Sequence, residues 1–320
     1  MHSKLKTLSI VLPCHNEQEV ISASWEELTG VLVPLLNNAI SDYELIMVNN
    51  GSTDNTLDIM LKLQELDPKI KIVDLRNNFG YQGSITAGLY HANNDMIITI
   101  DADLQDDPSK IEEMIERYYD GYDLVLGVRK DRKIDSFFKR LTANAFYKIS
   151  NLLGLKTVPH HGEFRLMSKE LLEDFKKYEE KNRYIRGLIL SLESKYAIVE
   201  YSRRERQAGE TKFKPLRLIE LALEGITSFS TAPIRLITIT GFILFTLSLF
   251  SMFFILYQKF FSNTEVEGWA FLALAVSLFG GLNSLFIGII GEYLGKNYIE
   301  SKNRPMFIVR KLYSAKPDVL

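Results

Sequence analysis

Between residues 8 and 127, short apolar runs rich in β-branched residues alternate with stretches whose apolar residues recur at helical spacing, and this alternation constrains the fold more than any other feature. Leu8 to Leu12, Tyr43 to Val48, Ile70 to Asp74, Met96 to Ile100 and Asp123 to Gly127 read as five strands. Val20 to Leu36, Asn55 to Leu66, Gly80 to His91 and Ser109 to Tyr119 read as the helices between them. Such an order implies an α/β fold, a doubly wound and mainly parallel sheet with right-handed crossovers. In sheets of this kind ligands bind at the carboxyl ends of the strands. The glycines at 80, 83 and 88 do not have the spacing of a dinucleotide fingerprint.

The fourth run leads directly into carboxylates. Met96 to Ile100 is followed by Asp101-Ala-Asp103-Leu-Gln105-Asp-Asp-Pro-Ser109. Two carboxylates and an amide oxygen at one strand end form a plausible oxygen-ligand set for Mg²⁺ or Mn²⁺, which keep some waters and also take substrate phosphate oxygens. A capped, acidic strand-to-helix loop is the other reading of an isolated Asp-X-Asp. Asp106 and Asp107 are read as capping residues, with Pro108 at the first helical position.

Further motifs stand at the other strand ends: Ser9-Ile-Val-Leu-Pro-Cys-His-Asn-Glu-Gln-Glu19, Tyr43-Glu-Leu-Ile-Met-Val-Asn-Asn-Gly-Ser-Thr-Asp54, Gly127-Val-Arg129 and Gly162-Glu-Phe-Arg-Leu166. Arg204-Glu-Arg-Gln-Ala-Gly-Glu-Thr-Lys212 and Gly225-Ile-Thr-Ser-Phe-Ser-Thr231 follow. With Ile100 to Asp106, the ordered set resembles the inverting, nucleotide-sugar-dependent glycosyltransferases of the family-2 type. Over nearly the whole chain it looks like the polyisoprenyl-phosphate glycosyltransferases, which include dolichol-phosphate mannose synthases and bacterial undecaprenyl-phosphate sugar transferases.

The resemblance implies a GT-A-like, nucleotide-sugar-binding domain and residue roles to go with it. Pro13, His15, Glu17, Val48 and Asn50 match positions that line the nucleoside pocket. Asp103 and Gln105 are the expected metal ligands, with Asp101 contacting nucleotide or metal and Ala102 beside it in the nucleotide-sugar site. Arg129, Arg206 and Lys212 are expected to hold phosphate, Arg206 and Lys212 from a loop that also carries Arg204 and Lys214 and hinges at Gly209. Glu163 stands where similar enzymes keep an Asp, as a catalytic or acceptor-orienting residue or as the structural partner of Arg165. The usual aspartate pair before Gly-Ser is replaced by Asn49-Asn50, so the nucleotide is left open. The implied reaction is transfer of one sugar from a nucleoside diphosphate sugar, a UDP-sugar with glucose or N-acetylglucosamine first, to polyprenyl phosphate. A processive or hydroxyl-acceptor enzyme is the alternative, and a catalytically silent nucleotide-sugar-binding membrane protein is another.

A bilayer span needs about 20 residues, and Leu236 to Leu256 and Trp269 to Ile290 are each free of charge over that length. Basic residues flank the pair at Arg217, Arg235, Lys296, Lys302, Arg304, Arg310 and Lys311, whereas the connection between the spans holds Lys259 against Glu265 and Glu267. The positive-inside rule then puts both termini and the catalytic domain in the cytoplasm. The expected division is a catalytic domain over 1–214, a juxtamembrane amphipathic segment over 215–234, two membrane helices over 235–291 and a basic tail over 292–320. Phe137, Phe138, Leu141, Phe146 and Leu153 offer a further apolar face, expected to pack on the sheet, with a place near lipid as the alternative. In the tail, Arg304 to Arg310 reads as a short strand. Small-residue faces at Gly280-Gly281, and at Gly288 with Gly291, permit close helix packing within one chain or in a homo-oligomer. One cysteine, Cys14, excludes an internal disulfide, and a net charge of −2 gives no sign of nucleic-acid binding.

Overall fold

The computed structural model of the chain describes residues 5–103, 105–130, 158–159, 161–181, 183–202, 204, 232–261 and 268–314. Strands β1 (Lys6–Cys14), β2 (Ile40–Asn49), β3 (Ile70–Leu75), β4 (Met96–Thr99) and β5 (Leu124–Arg129) occupy the five predicted runs. Helices α1 (Ile21–Leu35), α2 (Thr56–Leu66), α3 (Gly80–Tyr90) and α4 (Ile111–Tyr119) fill the intervals. The chain continues through β6 (His161–Ser168), α5 (Lys169–Lys176), α6 (Ile185–Leu192), β7 (Tyr196–Tyr201), α7 (Ala232–Phe261), α8 (Trp269–Ser301) and β8 (Val309–Tyr313).

These strands form one eight-stranded sheet in the order β7-β5-β6-β4-β1-β2-β3-β8. Pairs β4-β1, β1-β2 and β2-β3 are parallel, as expected of a doubly wound sheet. The sheet is nevertheless mixed rather than mainly parallel, because β6 lies antiparallel between β4 and β5. All eight residues of β6 are buried, yet Glu163 and Arg165 sit in its middle and hid it as a central strand. Each neutralises the other within the strand, and that lets two ionised side chains stand in a buried run.

The period-2 alternation of the strands divides the core between the two faces of the sheet. Leu8, Ile10 and Leu12 of β1 join Leu28 and Leu32 of α1, Met60 of α2 and Met114 of α4 on one face. Val11, Ile46 and Val48 join Ile85 and Leu89 of α3, Phe175 of α5 and Leu188 of α6 on the other. Each fully buried Leu or Ile contributes roughly 2 kcal/mol, so even the four-residue β4 is held firmly in the centre. Gly88 is what lets α3 lie against β1 and β2, since a Cβ there would collide with Val11 and come within 2.9 Å of Val48 Cγ2.

Helices α7 and α8 contain the two expected spans and have 30 and 33 residues. Many of the described large apolar side chains on them face outward, with Leu236, Phe242 and Ile287 at 65%, 71% and 69% exposure. Among the described residues, Leu278–Ser301 is long and apolar enough to cross a membrane by length and composition, and Pro233–Ser248 is a shorter apolar segment. The tail strand forms further along than Arg304 to Arg310, as β8, antiparallel on the free edge of β3 with Leu312 opposite Val73. Two bonds anchor this end of the chain: Arg76 N–H donates to the Ile308 carbonyl at 2.9 Å, and Lys181 N–H donates to the Glu300 carboxylate at 2.8 and 2.9 Å. The expected amphipathic segments, over 131–154 and 215–231, lie outside the described residues.

Candidate active site

Parallel pairing brings three strand ends to one edge of the sheet. Cys14 pairs with Asn49 across β1 and β2, and Val11 pairs with Thr99 across β1 and β4. His15, Asn50 and Asp101 to Asp103 therefore emerge side by side. Thr99 pairs in turn with Arg165, so His161 and Glu163, at the start of the antiparallel β6, overhang the same edge.

On the β1–β2 side the loops brace one another. The Asn78 amide donates to His15 Nε2 at 3.0 Å, which leaves His15 Nδ1–H to donate to the Asn50 carbonyl, also at 3.0 Å. This network assigns the tautomer. Asn50 donates its two amide hydrogens to Asn78 Oδ1 and the Gly80 carbonyl, both at 3.1 Å, and its Oδ1 accepts from Phe79 N–H at 2.9 Å. Its amide thus ties the β2 loop to the start of α3. Gly51, at φ +60°, permits the contact, for a Cβ would stand 2.5 Å from the Asn77 carbonyl carbon. Asn49 donates to Asp74 Oδ1 at 2.7 Å and accepts from Ser52 N–H at 3.2 Å. Pro13 and the half-buried Glu17 stay at this edge, with Glu17 N–H on Thr56 Oγ1 at 2.9 Å. Val48, expected to line the pocket, has its side chain fully buried in the core beneath α3, so that only its backbone is left to face the nucleoside.

At the end of β4, Tyr81 donates its hydroxyl to Asp101 Oδ1 at 2.7 Å. Burial, and then the nearby Asp106 and Asp103, push the Asp101 carboxyl up to about 6. Asp103 accepts from Gln105 N–H at 3.2 Å, which folds the loop back on itself. Ala102 is buried, and its carbonyl takes the Ser24 hydroxyl at 2.5 Å. Among the described residues, no group of three His, Cys, Asp or Glu side chains is arranged to hold a metal ion by itself.

The two aspartates read as caps have different tasks. Asp107 does cap the 3-10 turn Pro108–Lys110, accepting from Ser109 N–H at 3.2 Å. Asp106 instead points inward, 1% exposed, and accepts from the Tyr201 hydroxyl at 2.5 Å and from Arg129 at 3.4 Å. Arg129 also donates from Nε to the Tyr201 oxygen at 3.1 Å. The side chain expected to hold phosphate is therefore part of a buried triad that ties β5 and β7 to the acidic loop. Arg204 is likewise committed, to Glu27 and to Asp107 at 2.9 Å, while its N–H donates to the Gln105 carbonyl at 3.0 Å. It pins the start of the basic loop beside the carboxylates. Arg206, Lys212 and Lys214 lie outside the described residues.

On the β6 side, Glu163 is 2% exposed and serves two guanidinium groups. One oxygen pairs with Arg165, which is fully buried; the other takes Arg186 Nε at 2.5 Å. Burial pushes Arg165 down to about 10, still charged at neutral pH. His161 is held neutral, its pKa lowered well below the usual range by burial and then by Arg165, Arg186 and Arg129. Sequence reasoning missed Tyr81, Arg186 and Tyr201. Only Tyr81, in the glycine-flanked segment Gly80 to Gly83, stood near a recognised motif.

Residues 9–176 match the family described as Glycosyl transferase family 2. The chain is 40% identical to the uncharacterized glycosyltransferase YkcC of Bacillus subtilis (strain 168), over 95% of this chain and 94% of that one. It is 38% identical to the prophage bactoprenol glucosyl transferase homolog of Escherichia coli (strain K12), over 95% of this chain and 99% of that one. Among solved structures, glucosyl-3-phosphoglycerate synthase from Mycobacterium tuberculosis in complex with UDP superimposes with a TM-score of 0.44 at 19% identity, over 70% of this chain and 79% of that one.

Proposed function

The chain belongs to glycosyl transferase family 2, and from that premise we propose that it transfers a single glucosyl group from a nucleoside diphosphate sugar, UDP-glucose first, to polyprenyl phosphate, inverting the anomeric carbon. The observation that carries this reading is the likeness to the prophage bactoprenol glucosyl transferase homolog. It spans 95% of this chain and so reaches beyond the family match at 9–176 into the two long apolar helices and the tail.

The geometry is compatible with that chemistry. A donor laid across the ends of β2, β1 and β4 would meet the His15–Asn50–Asn78 network first and Asp101 and Asp103 next. Those carboxylates form an oxygen-only pair crowded by Asp106, with Asp101 holding its proton up to about 6. They fit a divalent cation, Mg²⁺ or Mn²⁺, that takes its remaining ligands from water, from the Gln105 amide and from substrate phosphate. When bound, such an ion supplies charge neutralisation to the departing diphosphate. Tyr81 orients Asp101, and by the family resemblance Arg206 and Lys212 would add to the phosphate clamp. The acceptor brings its own nucleophile: a phosphomonoester has a second pKa of about 6, so no enzyme base has to remove a proton. What the protein supplies is alignment and charge stabilisation.

Helices α7 and α8 would hold the domain at the bilayer as two spans, since exposed apolar faces of this length are stable in lipid and not in water. With the basic flanks inside, the catalytic part over 1–214, the juxtamembrane segment over 215–234 and the tail over 292–320 lie at the cytoplasmic face, with the spans over 235–291. The test is a partition assay on the detergent-solubilised full chain with radiolabelled UDP-glucose, undecaprenyl phosphate and Mg²⁺ or Mn²⁺. Label should enter the organic phase only with acceptor and metal present, and Asp103→Ala should abolish it. Transfer to a hydroxyl acceptor instead, or full transfer by Asp103→Ala, would overturn the reading.

A further inference from the structure

We propose that Arg186, on the first turn of α6, is the residue that receives the phosphate of the acceptor. This rests on the proposed transfer to polyprenyl phosphate and adds a residue that no motif had marked. The order of the strands separates two halves of the site. The loops after β2 and β1, and the carboxylates after β4, stand in sequence along the edge; β6 comes next, on the far side of β4 from β1. A donor bound over the first three strands turns the open face of its sugar toward β6. There Glu163 stands, and Arg186 lies against it.

Charge points the same way. Glu163 and Arg165 are both buried and neutralise each other, at 2% and 0% exposure. Arg186 is a second guanidinium on the same carboxylate, so the cluster carries one positive charge in surplus. That charge sits on the accessible member, for the Arg186 side chain is 40% exposed. Its Nε is fixed on Glu163 Oε1 at 2.5 Å, and its two Nη nitrogens make no hydrogen bond among the described residues. A guanidinium held by one edge presents the opposite edge as a planar fork, which matches two oxygens of a phosphate. Arg186 also stands near enough to Tyr81, the partner of Asp101, to oppose its shift.

In the transfer, a lone pair on an acceptor phosphate oxygen forms the new bond to the anomeric carbon. The bond from that carbon to the diphosphate oxygen breaks, and its electron pair leaves with the nucleoside diphosphate. Arg186 holds the attacking group opposite the leaving group, and no proton changes hands. Glu163 then has a defined task without acting as a base. It is a positioning residue that acts through Arg186.

The experiment measures KM for polyprenyl phosphate and for UDP-glucose separately in the wild type, Arg186→Ala and Arg186→Lys, with thermal melting as a check on folding. Arg186→Ala should raise the acceptor KM about tenfold or more, the cost of one charge-assisted pair, and leave the donor KM within about twofold. Arg186→Lys, which keeps the charge and loses the fork, should fall between. Folding should survive in both, because Glu163 keeps Arg165. An unchanged acceptor KM in Arg186→Ala overturns the proposal alone, and an equal rise in both KM values does so by moving Arg186 to the donor. A wild type that moves no sugar to polyprenyl phosphate overturns the parent reading as well.

Discussion

Asn49 shows how a single side chain can depart from a family pattern for a local reason. Its amide donates to Asp74 at 2.7 Å, and both residues are buried, at 2% and 1% exposure. An aspartate at 49 would face a buried carboxylate with like charge, so the amide is what this chain needs there. Asn49→Asp should cost about 3 kcal/mol of stability, and Asp74→Asn in the same chain should return most of it; additive losses in denaturant unfolding would contradict the coupling. Asp101 gives a prediction in pH. Its folded pKa of about 6 lies above the ordinary 3.8, so in the metal-free protein its contribution to stability is full below about 3.8 and is lost as pH rises through about 6. A divalent cation competes with that proton. The rise in Tm on adding Mn²⁺ should therefore be larger at about pH 7.5 than at about pH 5, and equal rises would remove Asp101 from the metal's surroundings. Legibility at this scale followed sequence distance. Asp101 and Asp103 are neighbours in the chain and could be read from it, whereas Asp106 meets a Tyr201 hydroxyl 95 positions away and passed for a cap.

At the scale of elements, the parallel strands β1 to β4 and the helices between them were readable because each has an apolar period and a turn or cap at its end. Strand β6 was not, and β8 was read only with shifted bounds, at Arg304 to Arg310 instead of Val309–Tyr313. β6 carries an internal ion pair that breaks its apolar run, and β8 mixes Arg310 and Lys311 with Val309 and Leu312. The basic residues point outward on the open edge of the sheet, a common protection for an edge strand, while Val309 and Leu312 pack inward with Phe307. Arg310 stands 3.8 Å from Asp74 but is half-exposed. Its removal should cost roughly 1 kcal/mol or less. Truncation after Arg304 removes Phe307, Val309, Leu312 and Tyr313, four partly buried side chains packed on the core, about 4 kcal/mol in all, and opens β3. A truncated chain that melts as the Arg310→Ala variant does would show that β8 adds nothing beyond its ion pair.

For the whole molecule, the outward-facing apolar helices and the sheet-bound tail belong to one device. α8 leaves the membrane-compatible segment, and β8 returns to the far edge of the catalytic sheet, with Glu300 capping Lys181 N–H on the way. The active edge is thereby fixed relative to the helices that would lie in lipid. That is what an enzyme needs if its donor is dissolved in water and its acceptor anchored in a bilayer. The most direct measurement is the mass of the lipid product after incubation of the solubilised full chain with UDP-glucose, undecaprenyl phosphate and Mg²⁺. A single new species, heavier by one hexosyl group and still bearing one phosphate, is the predicted result. A ladder of several hexoses, or a product with a second phosphate from the nucleotide, would contradict transfer of one sugar to a lipid phosphate.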